Sequence, residues 1–224
     1  MTNFNDVVSQ FRIEGTVESV SPIGNGLINE TLRVKTVDAN TPDYILQRIN
    51  NAIFTDVDLL QHNIELVTDH IRHKLMEKGE TDIERKCLRF VQAKDGKTYY
   101  KDADNLYWRV SVFIPNAITK EEVNPESAFC CGETFGNFQN MLVDLKEPLG
   151  ETIPDFHNME LRLRQLREAV SADKAGRVAS VKDILAELEC DADEMCLAER
   201  LYREGALPKR ICHCDTKVNN MVLD

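Results

Sequence analysis

Apolar residues along the first fifty positions fall in short alternating runs broken by turn formers, a period that belongs to β-strands. Phe11, Ile13, Val17 and Val20 mark a first strand over residues 11–20, its broken alternation implying strong twist. Leu32 and Val34 alternate through a second strand. Tyr44-Ile-Leu-Gln-Arg48-Ile49 forms a third, after the Asp38-Ala-Asn-Thr-Pro42-Asp43 turn. Two antiparallel hairpins follow from that order. Beyond residue 55 the period lengthens: Leu60, Ile64, Val67, Ile71 and Leu75 build one apolar stripe and predict a helix over 56–78. Thr55 or Asp56 can cap its start, and Gly79 ends it. Strands over 86–92 and 106–114 follow, the second stopped by Pro115. Five strands with one helix inserted between the third and fourth are the expectation for residues 1–115.

From there the period is helical. Asn124 caps and Pro125 opens a helix running to about Leu145. Three more are predicted over 159–172, 181–190 and 193–204, the second with a capping box from Ser180 and Asp183. An α+β chain in two lobes results, a mainly β N-terminal lobe over 1–115 and a mainly helical lobe over 116–224. No internal repeat or low-complexity linker interrupts it.

Composition narrows the function classes. With 42% hydrophobic and 29% charged residues the 224-residue chain can bury a substantial core, and no stretch approaches the length of a membrane span. Residues 1–10 are too polar for a signal peptide, so a cytoplasmic protein is expected. The net charge of −11 argues against nucleic acid as a partner. Seven cysteines, an odd number with no C-x-x-C pair, read as reduced, mostly buried thiols. Cys212-His213-Cys214 looks like a ligand cluster, yet alternate residues of an extended segment point apart, which argues against a metal there.

The chemistry concentrates in Ile211-Cys-His-Cys-Asp-Thr-Lys-Val-Asn-Asn-Met-Val-Leu-Asp224, where His213, Asp215 and Asn220 stand as His-x-Asp-x-x-x-x-Asn. In phosphoryl-transfer enzymes of the protein-kinase type that spacing lets one loop hold an orienting His, an Asp beside the attacking hydroxyl and an Asn oxygen on Mg²⁺. Three upstream pieces stand in the matching order. Gly24 and Gly26 sit in a hairpin turn where a backbone without Cβ can close over phosphates. Arg48 shares a strand face with Leu46 and Tyr44 and is the candidate for the inward cation that pairs with phosphate oxygens. On the helix that follows, Glu65 is the candidate acid for Arg48, with Asp69 competing. Phe113-Ile-Pro115 would connect the lobes, its backbone meeting the adenine ring.

With these pieces in place the chain resembles the aminoglycoside phosphotransferase superfamily of small-molecule kinases and, within it, the N-acetylhexosamine 1-kinases. The resemblance covers essentially the whole chain. It rests on Gly24-Asn-Gly-Leu-Ile-Asn29-Glu-Thr31, Ile45-Leu-Gln-Arg-Ile-Asn50, Phe135-Gly-Asn-Phe138, Thr152-Ile-Pro-Asp-Phe-His157 and Leu207-Pro-Lys-Arg-Ile-Cys-His-Cys-Asp-Thr-Lys-Val-Asn-Asn220. It implies a two-lobed protein-kinase-like fold, ATP and Mg²⁺ as cofactors, and phosphorylation of the anomeric hydroxyl of an N-acetylhexosamine. Asp215 would act on that hydroxyl, His213 would orient the loop, Lys217 would steady the transferring phosphoryl group and Asn220 would bind Mg²⁺. Arg48 would hold phosphate beside the turn of Gly24, Gly26 and Asn29, with Glu65 behind it and Phe113 and Ile114 at the adenine. Asp155 and His157 are candidates for sugar contact.

Two departures from the family pattern stand out. Cys214 occupies a position where the family more often has Gly or Asn. No residue follows Asp224 to supply the second acidic Mg²⁺ ligand, so the resemblance implies a shortened chain with an incomplete helical lobe and doubtful activity of its own. Kinases of choline, homoserine or an aminoglycoside, and a catalytically silent nucleotide-binding module, are the competing readings.

Overall fold

The computed structural model describes residues 3–24, 28–119 and 122–223. Among them the chain opens with a short helix, α1 (Phe4–Val8), capped by the Asn3 side chain. The strands β1 (Val17–Pro22), β2 (Glu30–Thr36) and β3 (Tyr44–Ile49) form consecutive antiparallel pairs. Helix α2 (Val57–Glu77) follows, then a single turn α3 (Ile83–Lys86), β4 (Phe90–Val91), β5 (Tyr100–Lys101) and β6 (Tyr107–Val112). The sheet runs β1-β2-β3-β6-β4 with β5 also on β6, so six strands stand where five were expected. The extra one is a two-residue ribbon inside the polar stretch after the Asp95-Gly96 turn, too short to leave a periodic signal.

The first expected strand begins late. Gly15 turns the chain at φ +83, and a Cβ there would meet Thr41 Oγ1 at 2.8 Å. Phe11 instead bridges to Ala93. Helix α2 matches its stripe: Asp56 caps it by accepting from Leu59 N–H, and Gly79 at φ +70 follows its end.

Strand register divides the sheet into two faces. Leu32, Val34, Tyr44, Leu46, Trp108 and Val110 lie on one face and are buried against Val7 and Val8 of α1 and against Phe11. The opposite face carries Arg33, Ile45 and Ser111 in one row and Thr31, Gln47 and Arg109 in the next. On this second face Ile49 and Tyr107 pack with Val57 and Leu60 of α2.

Helix α4 (Pro125–Met141) starts in a capping box between Asn124 and Ser127. The chain divides into two compact units, one formed by Met1–Thr152 together with Ile211–Asp224 and the other by Ile153–Arg210, a division that differs from the lobe boundary expected at 115/116. The first unit closes with a bridge between Ile118 and Leu223, each donating its N–H to the other's carbonyl. The second unit holds α5 (Met159–Ala172), α6 (Lys182–Cys190), α7 (Ala192–Met195) and α8 (Leu197–Arg203). Its elements are tied by the two-pronged pairs Arg167 with Glu189 and Arg203 with Glu160. The expected Ser180 cap is absent, because the chain enters α6 through a 3₁₀ turn and the Ser180 hydroxyl donates to Arg177 carbonyl instead. The helix expected over 193–204 is broken into α7 and α8, which meet at Cys196.

Candidate active site

Phe135 and Phe138, one turn apart on α4, present both rings to His213, with centroids 5.2 and 6.0 Å away. This grip explains the Phe-x-x-Phe spacing: residues three apart share a helix face. Val218 and Met221 are buried just beyond, in and after a 3₁₀ turn, Val218–Asn220, that packs on the same helix. Between these two anchors the loop holds its polar groups on the outside.

There Asn220 Nδ2 donates to the Asp215 carboxylate at 2.8 Å and to the Asp215 carbonyl at 2.9 Å. Lys217 Nζ lies 3.3 Å from the same carboxylate. The Asn220 hydrogen bond first, and Lys217 after it, hold the Asp215 carboxyl below the usual carboxylate range. Asp215 is therefore a solvent-facing anion with one neighbouring ammonium, and the Asn220 amide meets it through its nitrogen and not through its oxygen. Cys214 adopts φ +64, the left-handed region that Gly and Asn enter readily. Burial pushes its thiol up, and Sγ donates to Cys212 carbonyl at 3.4 Å, so the thiolate is disfavoured.

At the end of the sheet where β3 begins, a cavity of about 680 Å³ is lined by Glu18, Arg33, Lys35, Asp43, Phe113 and Pro115 among others. The Arg33 guanidinium lies 4.3 Å over the Phe113 ring. Asp43 holds it there by accepting from Nε at 3.1 Å and Nη2 at 2.6 Å, and also accepts from Thr36 N–H at 2.9 Å. Burial alone would raise the Asp43 pKa; the bonds from Thr36 and Arg33 outweigh it and leave the carboxyl lowered. The Phe113 N–H is engaged by Asp43 carbonyl, whereas no hydrogen bond among the described residues engages the Ile114 N–H.

Other expected contacts are redistributed. Gly24 takes φ +72 with open space where a Cβ would stand. Gly26 lies outside the described residues. Asn29 accepts from Asn50 N–H at 2.9 Å and so ties the start of β2 to the end of β3. Arg48 does not pair with Glu65: it meets Glu30 across the strand pair at 3.0 Å, on the face that buries Tyr44 and Leu46 and away from α2. Glu65 accepts from the Thr98 hydroxyl at 2.5 Å. Both faces of β3 are apolar in part, so alternation could not tell which one meets the helix.

A strand cation that does reach α2 is Arg109 of β6. Its Nε and Nη2 donate to Gln47 Oε1 at 2.9 and 2.6 Å, and Nη1 to Gln61 Oε1 at 3.2 Å. Gln61, buried on α2, passes the chain on to Thr98, and Gln47 donates to Thr31. Burial lowers the Arg109 guanidinium to about 10, still protonated at neutral pH. Its sequence signal was one charged residue inside the mostly apolar run 106–114.

An antiparallel sheet in the order observed, one long helix after its third strand, and a loop whose Asp215 is clamped by its own Asn220 define a kinase-like phosphotransfer fold. The family described as phosphotransferase enzyme family (APH) matches residues 19–224, and the chain belongs to it. The crystal structure of spectinomycin phosphotransferase APH(9)-Ia in complex with ADP and spectinomycin matches the whole chain with a TM-score of 0.56 at 11% identity. The chain spans 66% of that protein's length. Among the described residues no helix is long and apolar enough to cross a membrane.

Proposed function

We propose that the protein transfers the γ-phosphoryl group of ATP to an alcohol of a small molecule, the anomeric hydroxyl of an N-acetylhexosamine. The observation that carries the transfer reading is the Asp215 carboxylate held by Asn220 and Lys217 in a family phosphotransferase. The acceptor reading rests on the Leu46-Gln-Arg-Ile-Asn50 and Asp215-Thr-Lys-x-x-Asn220 strings.

Asp215, ionised at neutral pH, would accept the hydroxyl proton as the acceptor oxygen bonds to phosphorus and the bridging bond to ADP breaks. Lys217 would place positive charge beside the transferring oxygens. Its ammonium also keeps the base from being too strongly basic in the ground state, which suits a loose transition state that needs positioning more than proton abstraction. At the other end, the Ile114 N–H and the Phe113 and Arg33 planes would receive the base, and Gly24 would let the turn approach phosphate.

Mg²⁺ fits the donor set as one shared with nucleotide. Among the described residues no three His, Cys, Asp or Glu side chains form a cation cage. Magnesium commonly takes one or two protein oxygens and completes its shell with phosphates and water. The Asn220 amide oxygen, with Asp215 beside it, would hold it, and it would neutralise oxygen charge during transfer.

The test is steady-state phosphorylation of N-acetylglucosamine and N-acetylgalactosamine with Mg-ATP, alongside choline, homoserine and an aminoglycoside. Asp215→Asn should cut kcat about 10²- to 10⁴-fold while ATP still binds. Unchanged turnover in that variant would sink the mechanism; turnover of another alcohol alone would replace the acceptor.

A further inference from the structure

We infer that Arg109, delivered from β6 and not from β3, is the sheet-borne cation that meets the nucleotide phosphates; this rests on the nucleotide-binding reading above. Three observations carry it. First, charge: Arg33 and Arg48, on the same sheet, each have a carboxylate partner. Arg109 is partly buried among Gln47, Gln61 and the ring of Phe90, and among the described residues no carboxylate lies within ion-pair distance. A guanidinium withdrawn from water and held only by neutral oxygens has an unmet preference for an anion.

Second, position. The row Arg33, Ile45, Ser111 lies at the sheet end where the Phe113 cavity opens, and the row Thr31, Gln47, Arg109 is two residues further along the strands. That step is about 7 Å. The Gly24 turn, between β1 and β2, lies at the far end. A nucleotide with its base in the cavity and its phosphates toward that turn crosses the Arg109 row one ribose-length from the base.

Third, orientation. Gln47 and Gln61 fix the guanidinium from β3 and from α2 at once, so the cation is presented without the helix carboxylate that Glu65 was expected to supply. Glu65 stands three hydrogen bonds away, through Gln61 and Thr98. The arrangement exchanges a cation–carboxylate pair for a cation clamped by two amides, which leaves its full charge for a ligand.

Calorimetric titration with ADP, AMP and adenosine separates this from a packing role. Arg109→Gln should weaken ADP binding at least tenfold and leave adenosine within twofold, with Arg109→Lys intermediate for ADP. Adenosine binding doubles as the check that each variant is folded; if Arg109→Gln fails it, the Arg109→Lys ratio of ADP to adenosine affinity decides. A ratio equal to that of the unmodified protein overturns the inference while leaving nucleotide binding intact. No ADP binding by the unmodified protein would instead overturn the functional reading, and this inference with it.

Discussion

Asp43 carries more of the cavity's architecture than its place in a surface turn suggests, and replacing it with Asn tests that directly. The carboxylate accepts from Thr36 N–H, Thr36 hydroxyl and two nitrogens of Arg33, which it pins over Phe113. Asn would keep one oxygen for Thr36 but turn an NH₂ group toward the guanidinium, setting donor against donor. A charge-assisted bond is worth about 1.5–3 kcal/mol when well shielded. The Arg33 side chain is 39% exposed, so solvent screening reduces the loss to about 1–2 kcal/mol. For a chain of this length that lowers the melting midpoint by about 2 to 8 °C. The pH dependence is signed. Asp43 is lowered from its ordinary value of 3.8, so its contribution is present above about pH 4 and lost as pH falls through the depressed folded value. Differential scanning calorimetry of both proteins from pH 7 downward should show the gap narrowing below pH 3.8. A midpoint unmoved at pH 7, or a gap of constant size down to pH 3, would refute the account of Asp43 as a charged clamp. Asp43→Ala should cost more, since Thr36 N–H then loses its acceptor as well.

Two further predictions concern backbone geometry. Cys214→Gly should raise the melting midpoint by about 1–2 °C, because relief of a left-handed cysteine, about 1 kcal/mol, exceeds the added unfolded-state entropy; a lower midpoint would show that its thiol contact outweighs the strain. Gly150→Ala should destabilise by about 1–2 kcal/mol, since the new Cβ would stand 2.5 Å from Leu59 Cδ1 while Asn63 clamps the Gly150 peptide at both N–H and carbonyl. Chemical denaturation should show that loss largely recovered in the Leu59→Ala background, and no recovery would place the strain elsewhere.

Much of the fold was legible because it is written in local periods. The stripe from Leu60 to Leu75, the Asp56 cap and Gly79 bound α2 within a residue, and Asn124 with Pro125 placed the start of α4. The catalytic-loop candidates were legible for a different reason: His213, Asp215, Lys217 and Asn220 lie within eight residues, so a single tight turn suffices to bring them together. β5 and the break at Cys196 were not, being two residues long in one case and one residue wide in the other.

What chain order alone determined, then, is where the longer strands and helices fall, and which short loop concentrates carboxylate, amide and ammonium. Which face of β3 meets α2 was decided only by packing. Tyr44 and Leu46 on one side and Ile45 and Ile49 on the other are both apolar enough to be buried. The choice went to the residues beside them: α1 and Phe11 cover the Tyr44 face, leaving Gln47 to meet Arg109, which Gln61 of α2 also holds. Arg109 and Gln61 are 48 residues apart, and no local pattern records a contact made by strands and a helix folding onto each other.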